Sequence, residues 1–132
     1  ERPRTAPLSL DRTDTLLNGR AWLSWPEEFK AMFVMGVYEG AVSVEAGTPL
    51  VETLRTRASY DEIILGIDAM YADPTNRIIP IGRMLPIYAA KTRGTPASEI
   101  EGMISATLRA ITAANRREVP GVPTGQTSSQ VQ

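Results

Sequence analysis

The densest group of reactive side chains in this sequence lies between two apolar stretches, in residues 71–80. Tyr71, Asp73, Asn76 and Arg77 supply a phenol, a carboxylate, an amide and a guanidinium. A guanidinium beside an amide can bind a ligand carboxylate or phosphate at two points. The same residue types are typical of a structured connection, in which Asp73 caps, Asn76 forms a turn and Arg77 holds a helix end. We expect the structural role and keep Tyr71, Asn76 and Arg77 as candidate ligand-binding or partner-binding residues.

Three further side chains are candidates for a binding surface: Trp22, Tyr38 and Glu39. An indole such as that of Trp22 can stack on a sugar or on a partner, although core packing is the commoner role. Glu39 follows Tyr38 beside two glycines, at the edge of an expected core. For its carboxylate we favour a salt bridge to Arg20 or Arg77 over a catalytic role.

Composition removes most catalytic chemistry. The 132 residues include no Cys and no His, which excludes thiol nucleophiles, thiolate metal sites and the commonest general base. The carboxylates show neither the paired arrangement of a glycosidase nor the Asp-rich loop of a calcium site. Fourteen basic against fifteen acidic residues give a net charge of −1, which argues against a nucleic-acid partner. We therefore predict a non-enzymatic protein without catalytic residues, metal or cofactor.

Apolar periodicity and capping signals predict an all-α bundle of four main helices with one or two short ones. The first main helix is predicted over residues 26–46, capped by Ser24 with Glu27. Its inner stripe is predicted to comprise Phe29, Met32, Phe33, Gly36, Val37, Gly40, Ala41 and Val44. Because two glycines weaken a helix, we expect another backbone to pack closely against Gly36 and Gly40.

The other main helices have equally local signals. Ser59 with Glu62 predicts a capping box, and Asp73-Pro74 predicts the end of that helix. A third helix is predicted from Pro80 or from about residue 83, with a kink if it contains Pro86, and Gly94 ends it. The last helix opens at Thr95-Pro96 and runs to about residue 116. Short helices are expected at residues 11–18 and near residues 48–54, and no sheet is expected.

The ends differ in composition from this core. Residues 1–10 predict an extended arm, residues 11–117 a single helical domain, and residues 118–132, rich in Pro, Gly, Ser, Thr and Gln, a flexible tail. No apolar run reaches the length of about 18 residues that spans a membrane, so we expect no membrane insertion. The chain begins at Glu1 rather than Met. We expect a periplasmic or secreted protein that has lost a signal peptide, with a cytoplasmic protein as the alternative.

The order of several segments resembles known bacterial proteins. The segments are Asn18-Gly19-Arg20 with Trp22, then residues 33–40 (FVMGVYEG), residues 60–63 (YDEI) and residues 73–81 (DPTNRIIPI). They resemble those of small, uncharacterised bacterial helical proteins and, more distantly, the Tai-type immunity proteins of type VI secretion, over about residues 29–92. That resemblance implies a small α-helical, usually periplasmic protein that binds and blocks a cell-wall-cleaving effector.

These observations favour a protein that acts by binding another protein, with an immunity-like inhibitor as the specific form that the resemblance implies. The alternative is a small-molecule-binding or peptide-binding helical module, and a carboxylate-based hydrolase is improbable. A flat, exposed apolar helix face would favour protein association, whereas a deep pocket with a buried acid would favour the binding module. The candidate pocket of that alternative is lined by Trp22, Tyr38, Glu39, Tyr71 and Arg77.

Overall fold

A computed structural model describes residues 10–44, 51–52 and 59–117, and confirms the predicted all-α bundle with four main helices. The predicted short helix near 48–54 is helical at Val51 and Glu52 and otherwise lies outside the described residues, as do the predicted tail and, except for Leu10, the arm. The helices in chain order are α1 (Gly19–Ser24), α2 (Glu27–Val44), α3 (Tyr60–Tyr71), α4 (Ile81–Thr92) and α5 (Ala97–Arg117), with a 3₁₀ turn at Pro74–Ile78 between α3 and α4.

A small antiparallel hairpin precedes α1, where a helix over residues 11–18 and no sheet were predicted. Strand β1 (Arg12–Thr13) pairs with β2 (Leu16–Leu17). The register sets Arg12 opposite Leu17 and Thr13 opposite Leu16. The predicted helix over residues 11–18 and the predicted absence of a sheet are therefore both wrong. The strands were missed because each has only two residues, too few to show alternation.

The turn of this hairpin depends on two residues with positive φ, Asp14 at 50° and Thr15 at 67°. A two-residue hairpin loop favours this left-handed backbone because its twist matches that of the strands. Asp tolerates the conformation, whereas a β-branched Thr rarely adopts it. The Arg12 guanidinium donates a hydrogen bond to the Thr15 carbonyl at 2.6 Å, which holds the turn closed.

Side-chain caps mark the starts of α1 and α3. The predicted capping box of α3 is confirmed, since the Ser59 hydroxyl accepts from the Glu62 N–H and the Glu62 carboxylate accepts from the Ser59 N–H. The capping box predicted for α2 is wrong. Ser24 is the last residue of α1, and its hydroxyl donates to the Ala21 carbonyl at 2.7 Å.

The Pro and Gly signals around α4 are mostly confirmed. Pro80 is its N-cap, and the helix runs through Pro86 without a later start at residue 83. Gly94 ends it with a φ of +87°. The Thr95 N–H donates to the Ala90 carbonyl there, and the Gly94 N–H donates to that of Lys91, which together form a Schellman closure.

The orientation of α2 differs from the prediction. Phe29 and Met32 are 57% and 65% exposed, whereas Lys30 and Val34 face the core. The buried side therefore lies roughly a third of a turn from the predicted stripe, at 100° per residue. No atom lies within 4 Å of a Cβ added to Gly36 or Gly40, so the expected close backbone there is absent among the described residues.

The close contacts at glycine occur on other elements. A Cβ at Gly19 would overlap the Tyr71 ring, and one at Gly66 would overlap the Tyr88 ring. The core is formed by α1, α2, α3, the 3₁₀ turn and α4, with α5 packed against α4. Its fully buried large side chains are Trp22, Tyr71, Ile63, Ile67, Ile79, Ile81, Met84, Leu85, Ile111 and Val34.

Candidate functional site

The polar residues of the 71–80 segment bond to their own framework. The Tyr71 hydroxyl donates to the Ile79 carbonyl at 2.9 Å, and the Asn76 amide donates to the Met70 carbonyl at 2.9 Å. The Arg77 Nε donates to the Tyr71 carbonyl at 3.1 Å. Tyr71 and Asn76 are buried, and burial raises the pKa of the Tyr71 phenol above its ordinary value. These three candidates fasten the 3₁₀ turn onto the end of α3.

Asp73 is the exposed N-cap of the 3₁₀ turn. Its carboxylate accepts from the Thr75 N–H at 2.9 Å and from the Thr75 hydroxyl at 2.8 Å. Hydrogen bonds from Thr75, first from the backbone and then from the side chain, lower the pKa of Asp73, and the nearby Arg77 adds to that effect. A carboxylate held ionised in this way caps the start of a turn and is a poor proton donor.

Trp22 lies inside the bundle and takes part in a polar cluster that joins three helices. Its indole N–H donates to an Asp68 carboxylate oxygen at 2.7 Å. The Lys30 ammonium donates to the same oxygen at 2.9 Å and lies 5.5 Å from the centre of the Trp22 ring. Trp22 is fully buried and Lys30 nearly so. The cluster links α1, α2 and α3, and gives Trp22 a structural partner.

The remaining candidates, Tyr38 and Glu39, lie on α2. Tyr38 is half-buried against the core, and Glu39 is exposed. The expected salt bridge from Glu39 to Arg20 or Arg77 is not formed: Arg77 bonds to α3 as above, and the Arg20 guanidinium lies 3.4 Å from the Leu10 carbonyl. The six candidates therefore do not converge on one pocket.

Two surface concavities in the part of the chain that the structure describes concern the candidate site. A groove of about 540 Å³ lies between the hairpin and α5, with Arg12, Arg20, Ile78 and Asn115 among its lining residues. It contains none of the six candidates. The other, of about 380 Å³, lies at the start of α2 and is lined by Trp25, Phe29, Met32 and Phe33. We call this second concavity the aromatic hollow.

The aromatic hollow opens onto an exposed apolar strip along α2. We define the α2 outer face as Phe29, Met32, Met35, Gly36 and Gly40, all of which are exposed. At one end of this strip the half-buried Trp25 and Phe33 rings pack against each other, with centroids 5.3 Å apart and an interplanar angle of 46°. The hollow is thus lined by two packed aromatic rings and by the exposed side chains of Phe29 and Met32.

The α2 outer face was missed because its residues were assigned to the core. α2 is apolar around much of its circumference, so periodicity identifies a helix without fixing which side is buried. One signal was present in the sequence: Lys30, Val34 and Ala41 also repeat at helical spacing, and a Lys can reach Asp68 from that side.

Two structural features of the described ranges bear on chemistry beyond binding. No three His, Cys, Asp or Glu side chains there are placed to hold a metal ion, and every buried polar side-chain atom there has a hydrogen-bond partner. None of the helices in these ranges has the length and hydropathy needed to cross a membrane.

The fold and its surface define a small all-α bundle with an exposed aromatic and methionine face. The sequence matches no protein-family model, and no curated protein or solved structure matches it. The proposal for the function of this chain therefore rests on the α2 outer face and the groups around it.

Proposed function

We propose that this chain is a non-enzymatic protein that acts by binding another protein through the α2 outer face. The observation that carries the proposal is the exposure of neighbouring large apolar side chains on a main helix, with Phe29 and Met32 more than half exposed. Single exposed apolar residues are ordinary on protein surfaces, whereas a contiguous exposed group beside a hollow is typical of an interaction site.

The residue types of this surface suit a protein interface. Aromatic side chains and Met are enriched at interface cores, and Met adapts its shape to a partner. Burying a Phe or Met side chain contributes about 1.5–3 kcal/mol. No side chain of the described residues covers the helix backbone at Gly36 and Gly40, so side chains of a partner can approach it closely there.

The resemblance to Tai-type immunity proteins supplies the specific form of this proposal. In that form, the protein is a bacterial, periplasmic or secreted inhibitor, and its partner is a cell-wall-cleaving effector. In that setting the α2 outer face covers the effector, and the bundle supplies a rigid support through the cluster of Trp22, Lys30 and Asp68.

Site-specific crosslinking tests the proposal. A photoreactive amino acid at Met32 should capture a partner in cells, whereas the same group at Leu16, an exposed apolar residue of the hairpin, should not. The purified partner should then bind a Phe29→Ser/Met32→Ser variant at least about thirtyfold more weakly, the effect of losing about 2 kcal/mol at an interface hot spot.

The matched control is Leu16→Ser, which removes exposed apolar area elsewhere and should leave the affinity unchanged. Both variants should unfold within about 0.5 kcal/mol of the parent, because they change surface positions. Failure to capture a partner at Met32, equal capture at Leu16, or unchanged affinity of the double variant would each contradict the proposal.

A further inference from the structure

The charged residues of α2 are distributed unevenly between its two sides. The helix contains three acidic residues, Glu27, Glu28 and Glu39, and one basic residue, Lys30. All three acidic residues are exposed, whereas Lys30 is only 7% exposed. The solvent side of this helix is therefore entirely acidic in its charge, although the whole chain is nearly neutral.

The inward position of Lys30 is fixed by its partners. Its ammonium donates to Asp68 at 2.9 Å and lies against the Trp22 ring, so its charge is neutralised inside the bundle. It cannot offset the carboxylates on the opposite side of the helix. Among the described residues, no basic side chain forms an ion pair with Glu28 or Glu39.

The carboxylates lie along the apolar strip itself. Glu28 and Glu39 are eleven residues apart, which is about three turns and ~16 Å along one side of a helix. Met32 and Met35 lie between them on that side. An apolar strip with an acidic group near each end selects a partner with apolar side chains between basic ones, because opposite charges steer association and like charges oppose it.

We infer that the partner of the α2 outer face is a protein segment that presents apolar side chains flanked by Lys or Arg. This inference rests on the proposed function and adds the chemistry of the partner. A second copy of the chain fits poorly, since antiparallel contact of two outer faces would bring Glu28 of one copy near Glu39 of the other. An anionic lipid surface fits poorly for the same electrostatic reason.

Two synthetic amphipathic helical peptides provide the probe. They share their Leu and Trp positions, and the remaining positions are Lys in one peptide and Glu in the other. The Lys peptide should bind on the order of tenfold more tightly than the Glu peptide at low salt. High salt should remove most of that difference, because exposed charges are screened.

Charge-reversal variants test whether the acidic residues of α2 cause the tighter binding of the Lys peptide. Glu39→Lys should weaken binding of the Lys peptide by about five- to tenfold, from one lost attraction and one added repulsion. Glu101→Lys makes the same change in net charge at an exposed position of α5 and should leave binding within about twofold, since α5 packs mainly against α4 whereas α2 packs mainly against α3. Equal effects of the two variants would overturn the inference.

The outcomes distinguish this inference from the proposed function. If both peptides bind equally and Phe29→Ser/Met32→Ser abolishes both, the outer face is a docking site and the basic partner is wrong. If that double variant binds the Lys peptide as the parent does, the docking site itself is wrong. Sedimentation showing a dimer that the double variant dissociates, or tighter binding to phosphatidylserine vesicles than to phosphatidylcholine vesicles, would also overturn the inference.

Discussion

Replacing Asp68 by Ala should destabilise the protein far more than replacing its ion-pair partner Lys30 by Met. One oxygen of Asp68 accepts from both the Lys30 ammonium and the Trp22 indole, at 2.9 Å and 2.7 Å. Ala removes this acceptor and leaves two nearly inaccessible donors, one of them charged. Met removes the charge and its hydrogen bond to Asp68, and keeps an apolar chain of similar length against Trp22.

The geometry of the cluster determines the magnitudes. An unpaired buried N–H costs about 1–3 kcal/mol, and removing one partner of a buried ion pair costs about 3–5 kcal/mol. The Asp68 side chain is 33% exposed, so water can reach the ammonium once the carboxylate is gone. We therefore expect a loss of about 3–4 kcal/mol for Asp68→Ala. Lys30→Met should cost less than about 1 kcal/mol, because Asp68 stays partly hydrated and bonded to Trp22.

Urea unfolding followed by circular dichroism measures both losses without depending on the Trp22 signal. Asp68→Asn is the matched control: it keeps an oxygen for the indole N–H and should fall between the other two variants. A Lys30→Met loss equal to or larger than that of Asp68→Ala would refute the reasoning, since the ammonium rather than the shared carboxylate would then hold the cluster together.

Three further predictions concern single side chains. Gly66→Ala should cost about 1–3 kcal/mol in thermal or urea unfolding because its Cβ meets the Tyr88 ring, whereas Gly40→Ala, in open space within a helix, should stabilise by about 0.5–1 kcal/mol. Arg77→Ala should lower the unfolding free energy by about 1–3 kcal/mol through loss of a charge-assisted bond, and a loss below about 0.5 kcal/mol would contradict its structural role. Burial raises the pKa of Tyr71, so the unfolded state releases this proton first, and stability should fall as pH rises above about 10. Tyr71→Phe should flatten that decline in a pH series of unfolding curves.

Local signals predicted the start of α3 and the end of α4 correctly. Ser59 with Glu62 and Gly94 each act through neighbouring backbone groups, so the sequence contains all the information that a helix end needs. Ser24 shows the limit of this reasoning. The same Ser signal can terminate the preceding helix, and the choice depends on α1, whose cap is the buried Asn18 side chain accepting from the Arg20 N–H.

The candidate site was harder to predict because it depends on tertiary contacts. Whether Phe29 or Lys30 points inward depends on Asp68, which lies 38 residues from Lys30 in the sequence. The polar residues of the 71–80 segment were candidates because of their chemistry. In the structure, Tyr71, Asn76 and Arg77 donate hydrogen bonds to carbonyl groups of their own turn and helix. The residue type alone does not distinguish an exposed apolar residue from a buried one, since the same types form the core.

The N-terminal hairpin has a consequence for the kinetics of folding. The Thr13 hydroxyl donates to the Ile78 carbonyl at 2.6 Å, across 65 residues of sequence. Asn18 and Pro80 also pair there through an isolated bridge. We expect contacts this distant to form after the local helix pairs, because closing a long loop costs entropy before any contact repays it. A substitution that weakens the contacts of the hairpin with residues 78–80 should therefore speed unfolding while leaving the folding rate nearly unchanged.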